Sequence, residues 1–267
     1  MDYRKIGKTG MEASVIGLGA EHLVDMEQEK VSAVIDRALA HGINIIDVFM
    51  PQKDVRQKIG NALAGRRDKV LLQGHIGACE KDGQFLRTRE MDLCKKYFDE
   101  LLEYYQTDYM DFGMIFYVDT EKDFAEATAP EHLNYIRGLK EAGKIRAIGA
   151  STHNPEMGVR LVEMGLVDLL MFSTNPVYDM LPSNYDIDDI FGEKMGQQQF
   201  LGMAPERRRM YELCQERSVA ITTMKTLASG MLLNEKASPF ARALTVGQCI
   251  HYALTRPAVV RDRKSVV

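Results

Sequence analysis

A carboxylate at the tip of a short apolar run is the first place in this chain where chemistry can be read. Gly42-Ile43-Asn44-Ile45-Ile46-Asp47 follows an amphipathic stretch and ends in Asp47. In barrels of parallel strands the reacting groups sit at the C-terminal strand ends, so Asp47 marks a candidate catalytic face. Other reactive residue types point less clearly. Cys79, Cys94, Cys214 and Cys249 are spaced too widely for a zinc knuckle or a ferredoxin-type cluster and read as packing residues. Gly17-Leu18-Gly19 lacks the third glycine of a dinucleotide-binding turn. The runs Arg66-Arg67-Asp68-Lys69 and Arg207-Arg208-Arg209 read as solvated faces, since no aromatic residues stand beside them to stack a base.

These residues need elements to position them. Residues 3–6 and 12–16, around Lys8-Thr9-Gly10, read as a β-hairpin. Val31, Val34, Ile35, Ala38 and Leu39 recur at helical spacing within 29–41, and Gly42 stops that helix. Strands are expected at 14–19, 43–47, 69–76, 111–118, 145–151, 167–173 and 219–224. Helices are expected at 55–63, 88–105, 130–142, 155–164, 207–217 and 246–254, the last with Thr245 as N-cap. A long loop from 175 to 205 carries Tyr178, Tyr185 and Phe191. Strand–helix alternation at this spacing implies parallel strands with crossover helices. Seven strands are counted, and an eighth begins at 257–260. A (β/α)8 TIM barrel of α/β class fits best, and a doubly wound sheet is the alternative.

With 267 residues and 45% hydrophobic content, the chain can bury one large core. A net charge of −4 gives no polyanion-binding surface, so nucleic acid is not expected as a partner. No apolar run is long enough to span a bilayer, and the N-terminus lacks the core of a signal peptide. The expectation is a cytoplasmic protein without a membrane partner. Its 16 methionines suit a core or a soft pocket lining.

Taken in order, several motifs resemble the aldo/keto reductase superfamily over nearly the whole chain. They are the opening hairpin, Gly17-Leu18-Gly19, Gly42 to Asp47, Gly60-Asn61-Ala62-Leu63, Lys144-Ile145-Arg146-Ala147-Ile148-Gly149-Ala150-Ser151 and Met224-Lys225-Thr226-Leu227. The resemblance implies an NADP(H) or NAD(H) cofactor, hydride exchange with a small-molecule carbonyl, and no metal in this chain. It also implies a catalytic set of Asp, Tyr, Lys and His. Asp47 matches the Asp, but Gln52 stands at the Tyr position, His75 at the Lys position and Phe116 at the His position. Gln52 cannot release a proton near neutral pH, and Phe116 offers no hydrogen bond. His75 can carry a proton, since imidazole titrates near neutrality. The catalytic expectation is therefore Asp47, His75, Gln52 and Phe116, with His75 as the acid of a rebuilt site and Tyr117 or a loop tyrosine assisting. His153 reads as a loop residue.

The cofactor expectation rests on the same resemblance. Ser151 and Thr152 match the pair that holds the nicotinamide carboxamide, and Asn175 matches an asparagine after strand six. Met171 stands where a carboxamide-binding Gln is often found. Met224, Lys225 and Thr226 follow strand seven, where the cofactor's pyrophosphate approaches.

Leu72-Gln73-Gly74-His75-Ile76-Gly77 and the run from Gln248 to Pro257 resemble a branch of that superfamily, predicted oxidoreductases that often continue into a C-terminal iron–sulfur segment. Residues 261–267 match nothing in the family pattern. The expectation is a barrel domain over 1–260 with an incomplete eighth strand and an open edge, then a non-family tail over 261–267. Two functions follow. One is a nicotinamide-dependent oxidoreductase with a degenerate catalytic set. The other is a non-reductase barrel that serves as a binding or electron-transfer partner, with a protein redox partner and an iron–sulfur segment in a longer parent.

Overall fold

A computed structural model describes residues 1–81, 83–181, 202–240 and 242–265, with 261–265 given by their backbone. Tyr3–Lys5 (β1) and Glu12–Ser14 (β2) form the expected antiparallel hairpin. Eight parallel strands then close a barrel. They are Ile16–Gly19 (β3), Ile45–Asp47 (β4), Leu71–Ile76 (β5), Met110–Ile115 (β8), Ile145–Thr152 (β9), Leu169–Ser173 (β10), Ala220–Met224 (β11) and Val259–Ser265 (β12). Between β5 and β8 lies a second hairpin, Ala78–Lys81 (β6) with Gln84–Arg87 (β7), which the sequence reading did not anticipate.

The helices follow the expected order. They are Gln28–Ala40 (α1), Lys53–Ala62 (α2), Met91–Tyr105 (α3), Glu121–Ala127 (α4), Pro130–Glu141 (α5), Pro155–Glu163 (α6), Pro205–Arg217 (α7) and Val246–Leu254 (α8). Their starts are chemically legible. Pro stands in the first turn of α5, α6 and α7, where its missing N–H costs nothing. Thr245 and Gln248 form a capping box at α8, as the N-cap reading required. A second capping box, Thr120 with Asp123, starts α4, a helix absent from the sequence reading.

The eighth strand corrects one expectation. β12 pairs with β11 on one side and with β3 on the other, from Asp262↔Ile16 to Ser265↔Gly19. Residues 261–265 thus continue the eighth strand that was expected to stop near 260, and no open edge separates the seventh strand from the first. The backbone groups of 262–265 satisfy β3, which any sequence can do because sheet hydrogen bonds are made by the main chain. Tyr185 and Phe191, named in the long loop, lie outside the described residues.

Period-two alternation decides what faces inward. Ile45, Leu71, Phe112, Met114, Ala147, Leu169, Met171, Ala220, Met224 and Val260 fill the barrel, joined by Ile6, Met11 and Ala13 from the opening hairpin. Met171, at the position of a carboxamide-binding Gln, is one of these core residues. A Cβ on Gly149 would run into Met114 Sδ, so the absence of a side chain there leaves room for the methionine. The outward residues Ile46, Leu72, Ile115, Leu170 and Ile221 form a larger core with Val31, Ile35, Val55, Ile59, Phe98 and Leu161 of the helices. All four cysteines are buried, in keeping with packing roles.

Candidate active site

Alternation carries Asp47 inward two residues after Ile45, and His75 inward four residues after Leu71. Both end at the C-terminal mouth of the barrel. Asp47 pairs in register with Gln73, so His75 stands one inward position higher on the next strand. That stagger brings His75 Nε2 to 2.7 Å from Asp47 Oδ1. Both side chains are fully shielded from solvent. With the carboxylate accepting from Nε2–H, the other ring nitrogen, Nδ1, is buried and has no hydrogen-bond partner among the described residues.

Phe116 follows β8 and forms the roof. Its ring meets the imidazole of His75 edge-on at 5.2 Å between centroids. Phe49 stacks on Phe116 at 6.3 Å, and Phe85 from the β6–β7 hairpin meets it edge-on at 6.0 Å. Arg89, just beyond that hairpin, donates to the carbonyls of Phe116 and Tyr117 and ties the roof to the chain entering α3. Gln52 stands at the start of α2, its Oε1 buried with no hydrogen-bond partner among the described residues. Asp47, His75 and Phe116 thus lie together, with Phe116 as a cover.

A second titratable pair lies beside this roof. Asp119 Oδ2 is 2.8 Å from His153 Nδ1, and Asp119 Oδ1 accepts from the backbone N–H of His153 at 2.7 Å. Thr152 Oγ1 adds a bond at 3.0 Å. Burial alone would raise the Asp119 pKa. The hydrogen bonds and charge of His153, with the Thr152 hydroxyl, outweigh it and hold the carboxyl below its usual value. Sequence reasoning treated His153 as a loop residue. The signal that could have found it is Asp119, another carboxylate just past a strand tip.

The remaining expected residues divide by how their polar atoms are used. Ser151 Oγ accepts the backbone N–H of Tyr117 at 2.8 Å and keeps its own proton to give. Thr152 Oγ1 bonds Val118 O at 2.6 Å, Asp119 and Asn154. Asn175 Oδ1 accepts from Val177 and Tyr178, and its Nδ2 donates to Lys225 O at 2.9 Å. Thr152 and Asn175 therefore hold loops together, the turn chemistry of short polar side chains. Met224 caps the barrel interior and Thr226 is buried. Lys225 is exposed, with a left-handed backbone at φ 57°, and starts a turn in which Ala228, Ser229 and Gly230 also have positive φ.

Comparison with known proteins agrees with this fold. The aldo/keto reductase family model matches residues 15–258. The chain is 31% identical to aldo-keto reductase YhdN of Bacillus subtilis over 168 residues, covering 58% of this chain and 48% of that protein. It is 28% identical to protein Tas of Escherichia coli over 180 residues, covering 57% and 52%. The chain spans about half the length of the curated relatives it matches. Among solved structures, aldo-keto reductase AKR11C1 from Bacillus halodurans superposes with a TM-score of 0.72 at 21% identity, covering 100% of this chain and 86% of that one. Glycerol dehydrogenase AKR11B4 from Gluconobacter oxydans superposes with a TM-score of 0.62 at 18% identity, covering 87% and 65%.

Proposed function

Because the chain belongs to the aldo/keto reductase family, we propose that it is an oxidoreductase that uses NADP(H) or NAD(H) to interconvert a small-molecule carbonyl and its alcohol. The observation that carries this reading is the Asp47–His75 pair at the barrel mouth, with Nε2 held by the carboxylate and Nδ1 buried without a partner. A buried polar atom left unpaired costs about 1–3 kcal/mol, and such atoms persist where a ligand completes them. A substrate oxygen is the partner that Nδ1 lacks.

The residues at the rim fit the cofactor best at its phosphate end. Lys225 is an exposed cation on a turn with left-handed backbone, suited to a phosphate. Ser151 retains a hydroxyl proton for an amide oxygen, whereas Thr152 gives its own to Val118 O. When bound, the cofactor supplies the hydride. The chain's own residues do the rest. Asp47 orients the imidazole, as a carboxylate does for the histidine of a catalytic triad. His75 gives the Nδ1 proton to the oxygen as negative charge develops there. Phe116 keeps water from the pair and must turn aside for substrate to reach it.

Fluorescence titration with NADPH and NADH tests the cofactor half of the reading, and absence of binding by either would end it. Turnover of a panel of aldehydes and ketones, lost in His75→Ala while cofactor binding remains, is the expected result for the proton half.

A further inference from the structure

An open cavity of about 610 Å³ lies between the segment that follows β10 and helix α8. That volume falls in the range of small-molecule sites. None of the residues placed at the barrel mouth lines it, so it is separate from the Asp47–His75 pair. Its walls follow from the packing around it. Val177, Tyr178, Ala228, Leu232 and Cys249 belong to a small core, and Phe240 and Leu244 pack on that core while remaining only partly buried. With Pro176 they present an apolar surface to the cavity.

Tyr252 of α8 adds a second ring, and its place is fixed. Its hydroxyl donates to Asp179 Oδ2 at 2.9 Å, and the Arg256 guanidinium lies 4.3 Å from the ring centre. Asp179 is held in turn by the Tyr211 hydroxyl at 2.9 Å and by Arg207 at 3.3 Å. A wall tied in this way is formed before a ligand arrives, which lowers the ordering cost of binding. The rim is polar. Gln248 Oε1 accepts from the N–H and the hydroxyl of Thr245, and the Gln248 amide N–H donors have no acceptor among the described residues. His251 is exposed, and its imidazole makes no hydrogen bond among the described residues. No Asp, Glu, Lys or Arg lines the cavity among the described residues, so a charged ligand would lose its hydration there without gaining a partner.

We propose that this cavity is a second ligand site, which takes a neutral aromatic molecule of one or two rings that carries a hydrogen-bond acceptor. Phe240, Leu244, Pro176 and the Tyr252 ring bury the aromatic body, and removal of that apolar surface from water drives binding. The Gln248 amide donates to the acceptor, and the His251 imidazole covers the exposed edge. The site stands apart from the oxidoreductase reading, and its occupancy can be measured without turnover.

Equilibrium dialysis of the full chain against coumarin, a neutral two-ring lactone with a carbonyl acceptor, provides the test. A single saturable class of sites is expected. Gly247 lines the cavity, and a Cβ built there meets nothing within 4 Å, so Gly247→Phe can fill the space without disturbing the helix. Coumarin binding should be lost in that variant, while its melting temperature stays at or above that of the parent. Bound coumarin should also shield His251 of the parent from an imidazole-acylating reagent, with the exposed His22 and His41 still modified. If Gly247→Phe fails to fold, that shielding decides. Absence of saturable binding up to the solubility limit would overturn the proposal, and so would equal affinity in Gly247→Phe or an unshielded His251. Displacement of coumarin by NADPH would assign the cavity to the cofactor and overturn it as well. Absence of NADPH binding with coumarin binding intact would remove the oxidoreductase reading alone.

Discussion

His75 Nε2 lies 2.7 Å from Asp47 Oδ1, and neither side chain has any solvent exposure. A pair this deeply buried is at once a chemical asset and a structural dependency. Breaking a buried pair by removing one partner typically costs about 3–5 kcal/mol. His75→Ala is therefore expected to lower the unfolding free energy by about 3 kcal/mol, measured by denaturant titration at neutral pH, as well as abolishing turnover. A variant with parental stability would show that the pair contributes little to the fold.

Phe116 sets access to that pair. In the parent protein an imidazole-acylating reagent should modify the exposed His22, His41 and His251, and leave His75 and His132 intact. In Phe116→Ala, peptide mass mapping should find His75 modified as well. The substitution should also cost about 3–5 kcal/mol, the usual penalty for emptying a buried phenyl site. Continued protection of His75 in this variant would mean that other groups cover it.

Asp119 predicts an acid dependence with a definite sign. Its folded pKa is depressed, because the hydrogen bonds and charge of His153 exceed the opposing effect of burial. The stabilisation is complete above the ordinary Asp pKa of about 3.9 and is lost as pH falls through the lower folded value. Asp119→Asn should thus destabilise the protein by about 1.5–3 kcal/mol at pH 7, and the gap between the two proteins should close below about pH 4. Unfolding curves at pH 7 and pH 3 provide the check.

The cysteines should be inert while the protein is folded. Burial pushes the Cys79 and Cys214 thiols up to about 12 and raises Cys94, and all four residues are buried. Since the thiolate is the reacting species, a chromogenic disulfide reagent should titrate no thiol in the native protein and four after denaturation. A fast native reaction at Cys79 would contradict the packing around β6.

Much of the architecture was legible because its signals are local. The apolar spacing of 29–41, the run ending in Asp47 and the Thr245 N-cap each act over a few residues, and each appears within one or two residues of its expected place. The β6–β7 hairpin was missed. Residues 78–87 have no strong apolar alternation, although Asp82-Gly83 carries a local turn signal in the sequence. This matters for the site, because the hairpin supplies Phe85 to the roof and Arg87 to Tyr117. The eighth strand was also misjudged, because 261–265 pair through their backbone and carry no family pattern.

What the amino-acid sequence determined by itself is the alternation of parallel strands and helices that builds the barrel, and the place of Asp47 and His75 at the ends of their strands. What only the tertiary structure decided is which of these groups meet. Asp47 and His75 are 28 residues apart, and Asp119 and His153 are 34 apart. Their contacts depend on the stagger between neighbouring strands, which arises only when the barrel closes. The same closure turns Phe116 from a missing hydrogen-bond donor into a cover over the histidine, and sets Tyr117 beside it in a backbone conformation that no local preference would choose.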